Sequence, residues 1–278
     1  MRALDGMRAV SLAVNVPGPT AAAGLVALGA SVTKVEPPGG DPLAAAHPAW
    51  YDKLRAGQQA LTLDLKQAAD QAILDELLEP ADLLLTSSRP RSLARLGLAW
   101  PGLHARFARL CQVAIVGYPA PDQDRAGHDI TYAAAHGLVV PPGLPRTLVA
   151  DLGGAQLATT AAVALLLARE RSGEAGYAEV ALADAASAFA APLRHGATVQ
   201  DGPLGGGLPQ YGLYQAREGW LAVAALEPHF EQRLAAELGL DELTHDALAT
   251  AFRTRSAEDW EAWGREHDLP LGVVSSRE

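Results

Sequence analysis

The chain has 278 residues, 49% of them apolar and 19% charged, with a formal net charge of −10. A chain of this length and apolar content buries a substantial core, in one large domain or two smaller ones, and is not mainly disordered. The acidic balance excludes a broad nucleic-acid surface, which needs clustered Lys and Arg, and leaves acyl substrates open.

In chain order, the opening "MRALDGMRAVSLAV" has no long apolar run behind a basic start, so no secretory signal is expected and the cytoplasm is the expected location. "MRAVSLAV" reads as a strand, "GPTAAAGLVALGA" as a helix with Gly29 near its end, and "SVTKVEPP" as a second strand. Crossovers of that length require parallel pairing. The alternation continues through the strand "ALTLDL", the helix "AADQAILDELLEPA", the strand "DLLLTS", the helix "SLARLGL" and the strand "CQVAIVGY". The pattern predicts an α/β fold whose large domain, residues 1–200, is a doubly wound, mostly parallel, Rossmann-like sheet. Cys111, the only cysteine, reads as a buried apolar residue in a reducing compartment and rules out an intrachain disulfide.

After Asp151, which closes the strand-like "RTLVA", the pattern is helical to about residue 200. Its most apolar part, Leu157–Ala168, is too short to span a bilayer, and no membrane partner is expected. The Gly/Pro-rich "DGPLGGGLP" at 201–209 reads as a linker. Residues 210–278 then form a smaller α+β domain, with two strands around "REG" and helices from Glu227 to about Leu240 and from Ala257 to about His267.

Known cofactor signatures are absent. "NVPGPTAAAG" lacks the G-x-G-x-x-G spacing, its prolines remove backbone N–H groups a pyrophosphate needs, and no P-loop, H-E-x-x-H or G-x-S-x-G occurs. The histidines are scattered without a metal-type spacing, and no metal site is expected. Three polar positions stand out where a strand or loop meets a helix: His128 in "GHDITY", Asp151 in "DLGGA" and Glu227 in "ALEPHF". Taken singly, Asp151 and Glu227 fit helix caps and His128 a partly buried histidine. Together, a histidine and a carboxylate facing a substrate are an acid and base pair, with a second carboxylate to orient the imidazole.

These segments resemble the family III coenzyme A transferases, the CaiB/BaiF group, and most of all their α-methylacyl-CoA racemase branch. The resemblance runs from "GMRAVSLAVNVPGPTAAAGLVALGASVTKVEPPGGDP" through "LTLDLK", "RPRSLARLGL", "GHDITY" and "DLGGAQLATTAAVALLLARERSG" to "WLAVAALEPHF", nearly the whole chain. It implies an acyl-CoA thioester substrate, with CoA entering as part of the substrate and no separate cofactor. It also implies Asp151 and His128 as the two catalytic bases, Glu227 as the partner of His128, and a homodimer whose chains interlock. Gly153 and Gly154 are expected to let backbone N–H groups approach the thioester. Lys53, Arg55, Arg89, Arg91 and Tyr132 are the expected CoA contacts.

The chain also departs from the family. "KLRAGQQA" carries Gln58 and Gln59 where a cation is usual, Ser87-Ser88 precede Arg89-Pro90, and "GYPAPDQDRAG" replaces a glycine-rich loop. Relatives generally continue beyond "PLGVV" with a segment that returns to the large domain, so this chain reads as a C-terminally short member. Three readings follow: a racemase moving the α-proton of an acyl-CoA; a CoA transferase in which Asp151 is a covalent nucleophile forming a mixed anhydride; and an acyl-CoA-binding or partner protein without catalysis.

Overall fold

A computed structural model of the chain describes residues 2–275, and its two compact units divide after Ala190. In the first unit the apolar Arg8–Ser11 forms β1 and the proline-led, alanine-rich Pro17–Ala27 forms α1. Gly29, at φ +108, turns the chain into β2 (Ser31–Glu36). Two short helices, α2 (Pro42–Ala46) and α3 (Pro48–Arg55), precede β3 (Gln59–Thr62), α4 (Ala68–Leu78) and β4 (Leu83–Thr86). α5 (Pro90–Arg95) and α6 (Trp100–Arg106) lead to β5 (Cys111–Val116), which is buried along its length, as a central parallel strand is. α7 (Asp129–Ala135), the long α8 (Val149–Ser172), β6 (Tyr177–Ala181) and α9 (Leu182–Phe189) complete the unit.

All six strands pair in parallel, in the order β3-β2-β1-β4-β5-β6. The fold is therefore the doubly wound α/β sheet that the alternating pattern predicts. Side chains alternate across it: Leu83, Leu85, Val113 and Ile115 enter one core with α1 and α8, while Val10 and Leu84 enter another with Leu74 and Leu103. Strand order reverses between β1 and β4, and a crevice opens there at the carboxyl ends of the strands.

Two stretches differ from the sequence reading. The helical run expected from Asp151 to about residue 200 is broken: Gly173, at φ +79, ends α8, and β6 follows before α9. "RTLVA" is not a strand, since residues 146–148 are irregular and Val149 already begins α8. The edge of β5 that such a strand could use is occupied by β6. By length and composition α8, at 24 residues and a hydropathy of 1.4, is long and apolar enough to cross a bilayer, whereas its apolar centre read alone is too short. Its small residues instead pack against α1, α9, β5 and β6. Near its end Arg169, 2% exposed, pairs with Asp82 at 2.8 Å.

The second unit begins with α10 (Ala191–Arg194) and contains the Gly/Pro-rich stretch 201–209. β7 (Tyr211–Gln215) and β8 (Trp220–Ala224) form an antiparallel hairpin around Gly219. α11 (Pro228–Leu238), α12 (His245–Phe252) and α13 (Ala257–Glu266) follow, and β9 (Leu271–Val273) returns antiparallel to β8. Leu221, Val223, Leu234, Phe252 and Trp260 make a core of its own, an α+β arrangement.

Candidate active site

At the carboxyl ends of β1, β4 and β5 a hollow of about 270 Å³ opens within the first unit. Its floor is apolar, from Val14, Pro17, Ile115 and Leu182, and its polar rim holds Asn15, Arg89, Arg125, His128 and Asp151. A crevice at the reversal of strand order is where open α/β sheets bind ligands.

The turn after β1 is held by a buried brace. Asn15, at φ +65, donates its N–H to Asp41 Oδ1 at 3.0 Å, and Leu43 N–H reaches the same oxygen at 3.0 Å. Asp41 Oδ2 pairs with Lys34 Nζ at 2.9 Å, both side chains being 1% exposed or less, and Lys34 also bonds the Ala13 carbonyl. Ser87 ties this turn to the end of β4 by accepting the Val14 N–H at 2.8 Å. The brace is made by Lys34 and Asp41 of "KVEPPGGDP", a motif whose sequence carries no local sign of the role.

His128 stands at the start of α7 in extended conformation, its N–H donated to Thr131 Oγ1 at 3.1 Å, and its side chain is exposed beside the hollow. The next residue does what neither its type nor its position announces. Asp129 is 6% exposed, and its Oδ1 accepts the N–H groups of Ala150 at 2.7 Å and Asp151 at 3.0 Å. Leu148, at the N-cap position of α8, cannot cap the helix with its own side chain. A carboxylate from α7 fills that place.

That cap changes the chemistry of Asp151. The amides of a helix start ordinarily favour an ionised carboxylate, but here two of them already face Asp129. Burial, and then the charge of Asp129, push the Asp151 carboxyl up to about 7. Tyr132 is buried at 2%, its ring edge-to-face with Tyr118 at 5.0 Å. A side chain on Gly127 would lie 2.6 Å from the Tyr132 ring, and Gly117 is as tightly placed, so both glycines make room for the phenol. Burial raises that phenol to about 12, which keeps it neutral as a wall of the hollow.

The structure thus gathers His128, Asp151, Arg89 and Tyr132 around one hollow. Lys53 and Arg55 end α3, and Arg91 lies in α5 with its N–H toward Asp124 Oδ1 at 3.4 Å; none of the three borders the hollow. Glu227 belongs to the second unit, exposed at the start of α11. Gly153 and Gly154 lie against α9: a side chain at Gly153 would meet Phe189, and one at Gly154 would meet Leu182. The amides just ahead of them, expected to serve the substrate, are occupied by Asp129.

Comparison with known proteins agrees with this architecture. Residues 4–278 match the family described as CoA-transferase family III. The chain is 30% identical to the alpha-methylacyl-CoA racemase of Homo sapiens, over 93% of this chain and 69% of that one. It is 29% identical to the "Probable fatty acyl-CoA transferase Rv3272" of Mycobacterium tuberculosis, over 91% of this chain and 73% of that one. A crystal structure of Rv3272 superposes with a TM-score of 0.84 at 26% identity, covering 99% of this chain and 84% of the other.

Proposed function

The chain belongs to CoA-transferase family III, and we propose that it moves the α-proton of an acyl-CoA thioester, with Asp151 and His128 as the two proton-carrying groups. The observation that supports this reading is one hollow holding both side chains, with the Asp151 carboxyl raised to about 7. A group that titrates near the working pH is present both as acid and as base, which is what proton removal at one face and return at the other require. The human relative at 30% identity is named as a racemase.

The thioester end of the substrate is placed in this hollow beside Arg89. For the nucleotide end, a second hollow of about 240 Å³ is lined by Val14, Pro37, Leu65, Lys66 and Ser88. It shares Val14 with the first, and Ser88 adjoins Arg89, so one extended CoA thioester can follow the strand ends from one hollow to the other. Lys66 is the cation on the lining of that second hollow and the candidate for its phosphates. To Glu227 the family resemblance assigns the orientation of the imidazole.

The test is deuterium uptake at the α-carbon of 2-methylacyl-CoA thioesters in D₂O. Uptake by the unaltered protein, lost in Asp151→Ala and strongly reduced in His128→Ala, supports the reading; no uptake from any branched acyl-CoA removes it. A second reading has its own observation, since the M. tuberculosis relative is named as a transferase. In that chemistry the ionised Asp151 attacks the thioester carbonyl, the C–S bond breaks and CoA leaves as the thiolate, with the acyl group held on Asp151 as an anhydride. Hydroxylamine trapping of an acyl group on Asp151, with CoA passed to a free acid, would mark it.

A further inference from the structure

Removing the α-proton of a thioester, or attacking its carbonyl, puts negative charge on the thioester oxygen, and a hydrogen-bond donor must stand where that charge forms. The two helix starts at the hollow are poor sources of one. α8 turns its Ala150 and Asp151 amides to Asp129. α1 opens with Pro17-Gly18-Pro19, where both prolines lack an N–H and Gly18 is pressed against the Ala13 backbone. A side chain is left to supply the donor.

Asn15 meets the requirement. It borders the hollow, and its side chain is exposed and makes no hydrogen bond among the described residues. Leu152, the neighbour of Asp151, packs against the apolar cluster of Val16, Leu43 and Tyr51, which sets Asn15 and Asp151 on adjoining parts of the rim. The Asn15 backbone is held at φ +65 by its N–H bond to Asp41, itself locked by the buried pairing with Lys34. A short amide on a fixed Cα is a donor that needs little reorganisation as charge develops.

The other donors on the lining are engaged or charged. Ser87 holds the Val14 N–H, Gln123 Nε2 donates to the Glu179 carboxylate at 3.3 Å, and the Tyr132 hydroxyl is packed against Gly117 and Gly127. The Arg125 guanidinium sits over the Tyr118 ring, 4.4 Å from its centre. Burial and Asp129 hold the Asp151 carboxyl up, with neither Arg89 nor Arg125 drawing it down. A cation within reach of the reacting carbon would also act on the carboxyl that takes its proton, so the donor next to Asp151 is neutral.

We propose that the Asn15 side-chain amide donates a hydrogen bond to the thioester oxygen as that oxygen becomes an oxyanion. This rests on the reading that the thioester end occupies the hollow. When one base takes the α-proton, the C–H electron pair forms the C=C bond of the enolate and the carbonyl π pair moves onto oxygen, where Asn15 Nδ2–H meets it. Return of a proton to the α-carbon reverses both shifts. In the transferase chemistry the same oxygen carries the charge of the tetrahedral adduct, and Asn15 has the same part.

The test uses Asn15→Gly and Asn15→Asp. Glycine adopts the same left-handed backbone and keeps the N–H for Asp41, so it removes the donor alone; aspartate keeps the shape and puts an acceptor in the donor's place. The reaction followed is deuterium uptake into 2-methylacyl-CoA, or CoA transfer to a free acid if that is what the unaltered protein performs. In both variants kcat is expected to fall about a hundredfold or more while KM changes less than about threefold. An unchanged kcat in Asn15→Gly overturns the proposal, and so does a raised KM with kcat kept, which marks a contact made equally to the bound ground state. A fall in kcat that comes with a lowered thermal midpoint in Asn15→Gly and is absent in Asn15→Asp also overturns it, because the turn rather than the donor is then lost. If the unaltered protein performs neither reaction, the catalytic reading itself falls and the role of Asn15 with it.

Discussion

The carboxylate of Asp129 caps the helix that carries Asp151, through hydrogen bonds of 2.7 and 3.0 Å to the Ala150 and Asp151 amides, and its charge helps hold the Asp151 carboxyl near neutrality. One buried side chain therefore fixes both where the second acid stands and how it titrates. Asp129→Asn keeps a side-chain oxygen for the cap but removes the charge. The Asp151 pKa then falls toward its ordinary value, and the limb of the pH–rate profile that reports Asp151 ionisation moves to lower pH. NMR titration of the Asp151 carboxyl checks the shift directly; an unmoved limb and titration would show that burial alone sets it.

The same shift makes Asp151 a pH-dependent cost to stability. Its folded pKa, about 7, lies above the ordinary 3.8, so the folded state favours the protonated form. Stability is fully present below the unfolded pKa and declines as pH rises from about 4 to about 7. At about 1.36 kcal/mol per pKa unit the ceiling is on the order of 4 kcal/mol, less whatever solvent screens at this partly exposed group. Asp151→Asn, which cannot ionise, is expected to be more stable than the unaltered protein at pH 8 and to lose that advantage by pH 4. Urea midpoints at the two pH values measure it.

Gly153 and Gly154 are predicted to act on stability through α9. Leu182 is 8% exposed and has little room to move, whereas Phe189 is 54% exposed and can swing aside. Gly154→Ala therefore overpacks, at about 1–3 kcal/mol offset by about 1 kcal/mol of helix propensity, while Gly153→Ala is near neutral or mildly stabilising. Thermal melting of the two variants side by side separates them, and equal effects would contradict this packing account.

The brace beneath Asn15 gives a fourth expectation. Lys34→Met leaves Asp41 buried without its cation, and removing one partner of a buried pair costs about 3–5 kcal/mol. Because Asp41 also holds the Asn15 and Leu43 amides, Asp41→Ala is expected to cost at least as much and to loosen the turn bordering the hollow. Denaturant unfolding gives the first quantity, and amide exchange at Asn15 the second.

Much of the large unit is legible in the chain itself. Apolar runs such as "DLLLTS" and "CQVAIVGY" alternate with helical periodicity, and local period is enough to predict parallel strands with crossovers. β6 is hidden because "YAEVA" carries a glutamate and two alanines in place of the apolar run that marks β4 and β5, although Gly173 offers the stop signal. His128 and Asp151 are picked out by their place at helix starts and by family motifs. Arg125 lies in a loop whose altered sequence is visible, but its seat on Tyr118 is not.

The amino-acid sequence by itself determined the alternation of strands and helices, the family and the two residues, His128 and Asp151, that border the hollow, because period, turn residues and motifs act over a few neighbouring positions. Only the tertiary structure decided that Asp129 caps a helix beginning twenty residues later, that Lys34 and Asp41 lock the first turn, and that Gly153 and Gly154 serve α9. Each of these depends on groups brought together across the sheet, where burial strengthens a hydrogen bond or a charge and excludes an added methyl group, and no local pattern encodes which partner will be there.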